Sequence, residues 1–293
     1  MRAALGAALV AALASAPPAW GTFPGKPGLI AFDDQNSIQV VAPSGRGGIE
    51  RIMAGVDPAF SPDGRWIAFV SSGGRKLFIA RDDGSRSRIV YESDSLSEPC
   101  FSADGSRLFF TKDTSGQGYA DIYAVEVEGG EPERLTMTGV RGSEIDSHDP
   151  QAAANGRFIV YQRSDSIWTM RPDGSNQKRL VEHAVAPTIS PDSRRVVFAR
   201  GDHLISIGAG GGRERVLSLF SFTPKSEELS RSAAWPAFSP DGRAIAFVFK
   251  RTTSYGPGLN SSKRLAVYNL ESGKLQILAG PNFGAGRPDW QPR

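Results

Sequence analysis

Three carboxylates of this 293-residue chain, Asp57, Glu98 and Asp149, each stand immediately before a proline that opens a similar stretch of sequence, and His148 adjoins the last of them. Carboxylates and an imidazole brought together can attract a cationic group, ligate a hard divalent ion through oxygen, or move protons. The remaining chemical inventory is thin. Nucleophilic hydrolysis needs a positioned Ser or Cys with a His and an acid. The sequence has three histidines, His148, His183 and His203, and no Gly-x-Ser-x-Gly elbow. His183 and His203 read as solvated loop residues, and no His-Glu-x-x-His or His-x-x-x-His pair offers a zinc site. Cys100, the single cysteine, falls inside an expected strand and reads as a buried, inert thiol; alone, it supplies neither a disulfide framework nor a thiolate cluster.

The elements that carry these residues are repeats. From Pro58 the chain reads Pro-Ala-Phe-Ser-Pro-Asp-Gly-Arg-Trp-Ile-Ala-Phe-Val, and from Pro236 it reads Pro-Ala-Phe-Ser-Pro-Asp-Gly-Arg-Ala-Ile-Ala-Phe-Val. Weaker copies start at Pro99, Pro150 and Pro187. Each start is followed by an apolar run such as Ile67 to Val70 and a second such as Leu77 to Ala80. A Gly turn such as Asp83-Gly84 and a short last run such as Arg88-Ile89-Val90 or Arg134-Leu135-Thr136 complete the unit. In Ser-Pro-Asp-Gly, Pro sets φ at the first corner of a turn, Asp bonds its own backbone and Gly accepts positive φ. The motif is therefore a hairpin connector between the first and second strands. Four short strands per unit, recurring roughly every 40 to 50 residues, are the sequence mark of an all-β propeller.

The ends of the chain fix the blade count. The segment from Gly28 to Ile52 holds second, third and fourth strands without a first, and Pro288-Asp289-Trp290-Gln291-Pro292-Arg293 is a first strand with nothing after it. Joined, they make a sixth four-stranded antiparallel blade that closes the ring and removes the open edge.

Composition agrees with a folded domain: 40% hydrophobic, 22% charged, Gly 33 and Pro 20. A net charge of +3 with no run of five or more Lys/Arg gives no concentrated basic face for nucleic acid. Residues 1–20 read as a secretory signal peptide: Arg2, an apolar Ala-rich stretch from Ala3 to Ala14, then small residues through Ala19. The apolar stretch is too short to span a bilayer. The expectation is a monomer, periplasmic or secreted, with no transmembrane segment once the leader is removed and a propeller over residues 24–293.

The set Pro-x-Phe-Ser-Pro-Asp-Gly, Ile-Ala-Phe, a Gly turn and Arg-Leu-Thr resembles the WD40-like PD40 repeats of TolB-like six-bladed β-propellers, over nearly all of residues 24–293. TolB proteins of the cell-envelope Tol–Pal system carry an α/β domain ahead of the propeller, for which this sequence leaves no room before Gly28. The resemblance implies architecture more than activity. It also implies that the Pro-x-Phe-Ser strand is innermost in each blade, so the residues before each proline ring the channel mouth: Arg287, Asp57, Glu98, Asp149, Ala186 and Trp235. Two readings follow. The acids with His148 form a polar funnel for a cationic ligand, a divalent ion or a basic peptide, or they cap strand ends and pair with Arg287 in solvent. The long loop from Ser218 to Trp235 carries Leu219, Phe220 and Phe222, which would anchor a partner or fold onto the blade edges. A second insertion, Lys250 to Lys263, is expected to open on another part of the surface. The leading functional expectation is an exported, non-catalytic scaffold that recognises a protein, peptide or envelope component, with no cofactor. The alternative is a metal-assisted hydrolase or lyase using the mouth carboxylates.

Overall fold

The computed structural model describes residues 23–114, 119–137, 145–217, 228–255, 258–280 and 286–293. The first blade takes β1 (Pro27–Asp33), β2 (Ser37–Val41) and β3 (Ile49–Ala54). The second is β4 (Val56–Phe60), β5 (Trp66–Val70), β6 (Lys76–Arg81) and β7 (Arg88–Glu92). The third is β8 (Leu96–Phe101), β9 (Arg107–Asp113), β10 (Ala120–Glu126) and β11 (Glu133–Arg134). The fourth is β12 (Ser147–Ala152), β13 (Ile159–Arg163), β14 (Ser166–Met170) and β15 (Lys178–Glu182). The fifth is β16 (Val185–Ile189), β17 (Arg195–Arg200), β18 (His203–Gly208) and β19 (Arg215–Leu217). The sixth is β20 (Glu228–Phe238), β21 (Ala244–Tyr255), β22 (Gly258–Asn269) and β23 (Leu275–Ile277). The last strand, β24 (Asp289–Pro292), returns to pair antiparallel with β1, and six four-stranded sheets result. No helix occurs among the described residues.

The Ser-Pro-Asp-Gly turns behave as their chemistry dictates. Ser61 Oγ donates to Asp63 Oδ1 at 2.6 Å and accepts the Trp66 N–H at 3.0 Å, while Asp63 Oδ1 also accepts the Arg65 N–H at 3.1 Å. The same bonds recur at Ser102, Ser190 and Ser239. Gly64, Gly105 and Gly242 take positive φ; in the fifth blade Ser193 takes φ 56° in glycine's place.

The core is divided among the seams between blades. Because successive strand residues face opposite sides of a sheet, Ile30 and Phe32 pack toward the sixth blade with Val248 and Leu265, while Ala31 packs toward the second with Phe60 and Ile67. The other seams repeat this, for example Phe109 with Tyr161, and Leu204 with Phe247.

Two local expectations change. The segment Lys250 to Lys263 is a hairpin, since β21 and β22 pair continuously from Ala244↔Asn269 to Tyr255↔Gly258. Its tip lies on the same side as the start of β20, which is the side of Trp235, so it projects from the mouth face and does not open elsewhere. In the third blade the outer strand is only Glu133–Arg134; Thr136 Oγ1 accepts the Ile122 N–H at 2.9 Å and replaces the next ladder bond.

Candidate functional site

Five of the six first strands carry a bulge at the proline. The register shifts between Val56 and Ala59, Ser97 and Cys100, His148 and Gln151, Val185 and Thr188, and Ala234 and Ala237. The residue before the proline takes positive φ in all five: Asp57 53°, Glu98 55°, Asp149 60°, Ala186 51° and Trp235 49°. Left-handed backbone costs a non-glycine residue about 1 kcal/mol or more, so something must hold it there. A bulge also frees an N–H from the ladder.

Side chains of the preceding blade accept those freed N–H groups. Asp57 N–H donates to Asp33 Oδ2 at 3.3 Å, Glu98 N–H to Asp57 Oδ2 at 3.1 Å, and Asp149 N–H to Glu98 Oε2 at 2.7 Å. Ala186 N–H donates to Gln162 Oε1 at 2.9 Å. Asp57 and Glu98 thus each cap the bulge of the following blade, while Asp149 is left to Arg287 and Gln162 caps the bulge after it.

Arg287, immediately ahead of β24 in the first blade, crosses the channel. Its Nη2 pairs with Asp149 Oδ1 of the fourth blade, diametrically opposite, and its Nη1 lies 3.8 Å from Glu98 Oε1. The Arg287 side chain is 11% exposed and that of Asp149 3%, so the pair is buried in the mouth and not in solvent, as one of the two sequence readings had it. Nη1 makes no hydrogen bond to any described residue. Beneath Arg287 lies a cavity of about 40 Å³ lined by Phe23, Cys100, Asp289 and Trp290 among others.

Around this plug the charges are strongly coupled. Burial, then the charge of Glu98, pushes the Asp57 carboxyl up to about 6. Burial raises Asp33 as well, and lifts Asp289, whose Oδ2 accepts the Phe60 N–H at 2.6 Å, to about 7. Burial would also raise Glu98, but His148 and Arg287 outweigh it and hold Glu98 below the usual range. For His148 burial works against the imidazolium; Glu98 and Asp146, each 3.7 Å away, prevail and raise it.

Of the residues expected at the mouth, Asp57, Glu98, His148, Asp149 and Arg287 form one connected cluster. Trp235 stands apart with the Lys263 ammonium 5.2 Å over its ring. Leu219, Phe220 and Phe222, like the expected leader over residues 1–20, lie outside the described residues. His183 and His203 are exposed and face Asp165 and Asp202; His203 is the first residue of β18 and not a loop residue. Cys100 is buried and its thiol is pushed up to about 12 by burial. No three His, Cys, Asp or Glu among the described residues are grouped so as to hold a metal ion. Sequence reasoning missed Asp33, Thr111 and Gln162, which occupy equivalent places at the ends of second strands, and Asp146. A polar residue ending an otherwise apolar second strand is the signal that would have found the first three.

A closed ring of six four-stranded blades, with bulged first strands presenting side chains to a central mouth, defines a six-bladed β-propeller. The family model of the TolB beta propeller domain (PD40) matches residues 49–225, and the chain belongs to that family. A TolB homolog of Chlorobium luteolum is 29% identical over 141 residues, covering 45% of this chain and 30% of that protein. The Tol-Pal system protein TolB of Francisella tularensis is 21% identical over 248 residues, covering 80% of this chain and 54% of that protein. This chain therefore spans about a third to a half of the length of these relatives. The crystal structure of TolB from Acinetobacter baumannii superposes with a TM-score of 0.70 at 20% identity, over 91% of this chain and 67% of that one, a likeness of fold.

Proposed function

We propose that this protein is an exported, non-catalytic propeller that binds a protein or peptide segment through its mouth face, by receiving a basic side chain among Glu98, His148, Asp149 and Asp146. The observation that carries this reading is Arg287: a guanidinium of the chain itself occupies an acidic pocket at the channel axis, with one amino group left without a hydrogen bond. A pocket that accepts its own arginine has the charge and size to accept a partner's, by exchange. Asp146 and His148 remain partly exposed at the rim, and Trp235 and the β21–β22 hairpin lie on the same face two blades away. The Tol-Pal role belongs to the Francisella relative by name; for this chain only the scaffold role is extended.

Fluorescence anisotropy with arginine-bearing and matched glutamate-bearing peptides tests the mouth. Arginine peptides should bind, weaken with salt, and weaken further in Asp146→Asn. Equal binding of the two peptide sets would overturn the reading. Export is tested separately by cell fractionation with N-terminal sequencing, in which a cytoplasmic protein retaining Met1 or Arg2 would refute it.

A further inference from the structure

A second site lies on the opposite edge of the ring from the mouth, at the seam between the fifth and sixth blades. There a groove of about 380 Å³ is lined by Arg195, Arg213, Arg215, Ser206 and Tyr268, with Leu270 on the sixth-blade wall. None of the three arginines forms an ion pair with a described residue. Glu214, between Arg213 and Arg215, is held by Arg200 at 2.6 Å and lines a different groove, while Asp192, which feels the charge of Arg195, accepts a hydrogen bond from Ser190 Oγ at 2.5 Å.

The third blade offers a contrast at the same place. Arg107 stands opposite Glu126 and Glu133 opposite Ala124, and Arg107 bonds Glu133 at 2.7 Å and lies 3.5 Å from Glu126. In the fifth blade the same positions hold Arg195 opposite Gly208 and Arg215 opposite Ser206. The two heads that make an ion pair in one blade are two like charges in the other, and the second acid is replaced by glycine. Like charges so placed repel, and an anion between them would relieve the cost. Two hydroxyls also face the same groove without a partner: Ser206 and Tyr268 are each 8% exposed, and neither hydroxyl hydrogen-bonds a described residue.

We infer that this groove binds a phosphate group, free or esterified, through the guanidinium forks of Arg195, Arg213 and Arg215 and the hydroxyls of Ser206 and Tyr268. Guanidinium matches phosphate with paired hydrogen bonds, and every polar side chain in the groove is a donor. The apolar wall of Val216, Leu217 and Leu270 leaves room for the carbon portion of an ester.

The test is calorimetric titration of the full-length mature protein with inorganic phosphate and with glycerol 3-phosphate at fixed ionic strength, alongside sedimentation with vesicles containing or lacking phosphatidylglycerol. Wild type should bind a phosphate probe, and Arg213→Gln/Arg215→Gln should weaken it about tenfold or more. Arg215→Glu, which copies the Arg107–Glu133 arrangement and so keeps a tolerated geometry, should abolish binding with an unchanged melting temperature. Arg88→Gln, at the equivalent place in the second blade but paired with Glu128, should leave binding intact. Vesicle binding alone, lost in the same variants, would assign the phosphate to a lipid headgroup. Failure of wild type to bind inorganic phosphate, glycerol 3-phosphate and phosphatidylglycerol vesicles alike, or equal binding by Arg215→Glu, overturns the inference.

Discussion

Arg287 and Asp149 belong to blades on opposite sides of the ring, and their ion pair spans the channel. Removing one member of a buried pair leaves the other charge unpaired, so Arg287→Ala should cost about 3 to 5 kcal/mol in denaturant-measured stability. Adding Asp149→Asn should recover part of that loss. A double-mutant cycle showing no coupling would mean that the two side chains do not meet in solution.

Asp289 gives a pH dependence of definite sign. Its folded-state carboxyl is pushed up to about 7 by burial, against 3.8 for an unperturbed aspartate, so the native state holds a proton that the unfolded chain releases. Its contribution is fully present below about pH 4 and is lost as pH rises toward 7. Asp289→Asn keeps an acceptor for the Phe60 N–H and removes the buried charge. Its stability advantage over wild type should grow between pH 4 and 8, reaching about 1 to 3 kcal/mol. An advantage that shrinks with pH would contradict the buried, protonated carboxyl.

Gly64 and Gly105 occupy the same turn position with φ 67° and 73°. A methyl group on Gly105 would meet only Pro62, at 3.5 Å, whereas on Gly64 it would strike the Pro292 carbonyl of the closing strand. Gly105→Ala should cost about 1 to 2 kcal/mol through backbone strain alone, and Gly64→Ala distinctly more. Equal melting temperatures for the two variants would show that the closing strand yields there.

Trp290 is 2% exposed and packs with Ile30, Phe32 and Val248 at the seam that closes the ring. Trp290→Ala should destabilise by about 3 to 5 kcal/mol, and deletion of residues 288–293 by more. Unchanged melting of the deletion would count against closure by β24.

Much of this architecture was written in the repeats. Alternating Ile-Ala-Phe runs state which residues face which seam, and unmatched strands at the two ends state the closure. The prolines marked the mouth residues because each proline follows the bulge that turns Asp57, Glu98 or Asp149 inward. What the residues did with one another was not legible. Arg287 reads as a neighbour of Asp57 along the ring, yet its length carries it to the far side, a relation between repeats that no spacing encodes. Asp33, Thr111 and Gln162 look like ordinary strand ends until the next blade's bulge is seen to need an acceptor. The β21–β22 hairpin was hidden because Gly256-Pro257-Gly258 reads as a loop while its flanking strands lack the apolar alternation of a blade.

The pairing of β24 with β1 joins Leu29 to Gln291 across 262 positions of sequence. Local contacts can assemble each of the other five blades as soon as its own residues are available, but the first blade waits for both ends, the slowest kind of contact to form. Until then Phe32 and Ile30 lack the cover of Trp290, and β1 offers an unpaired edge to any passing strand. A blade shared between the two ends of the chain is thus the one most open to misassembly before the β24–β1 contact forms, and residues 289–292 are what cover it.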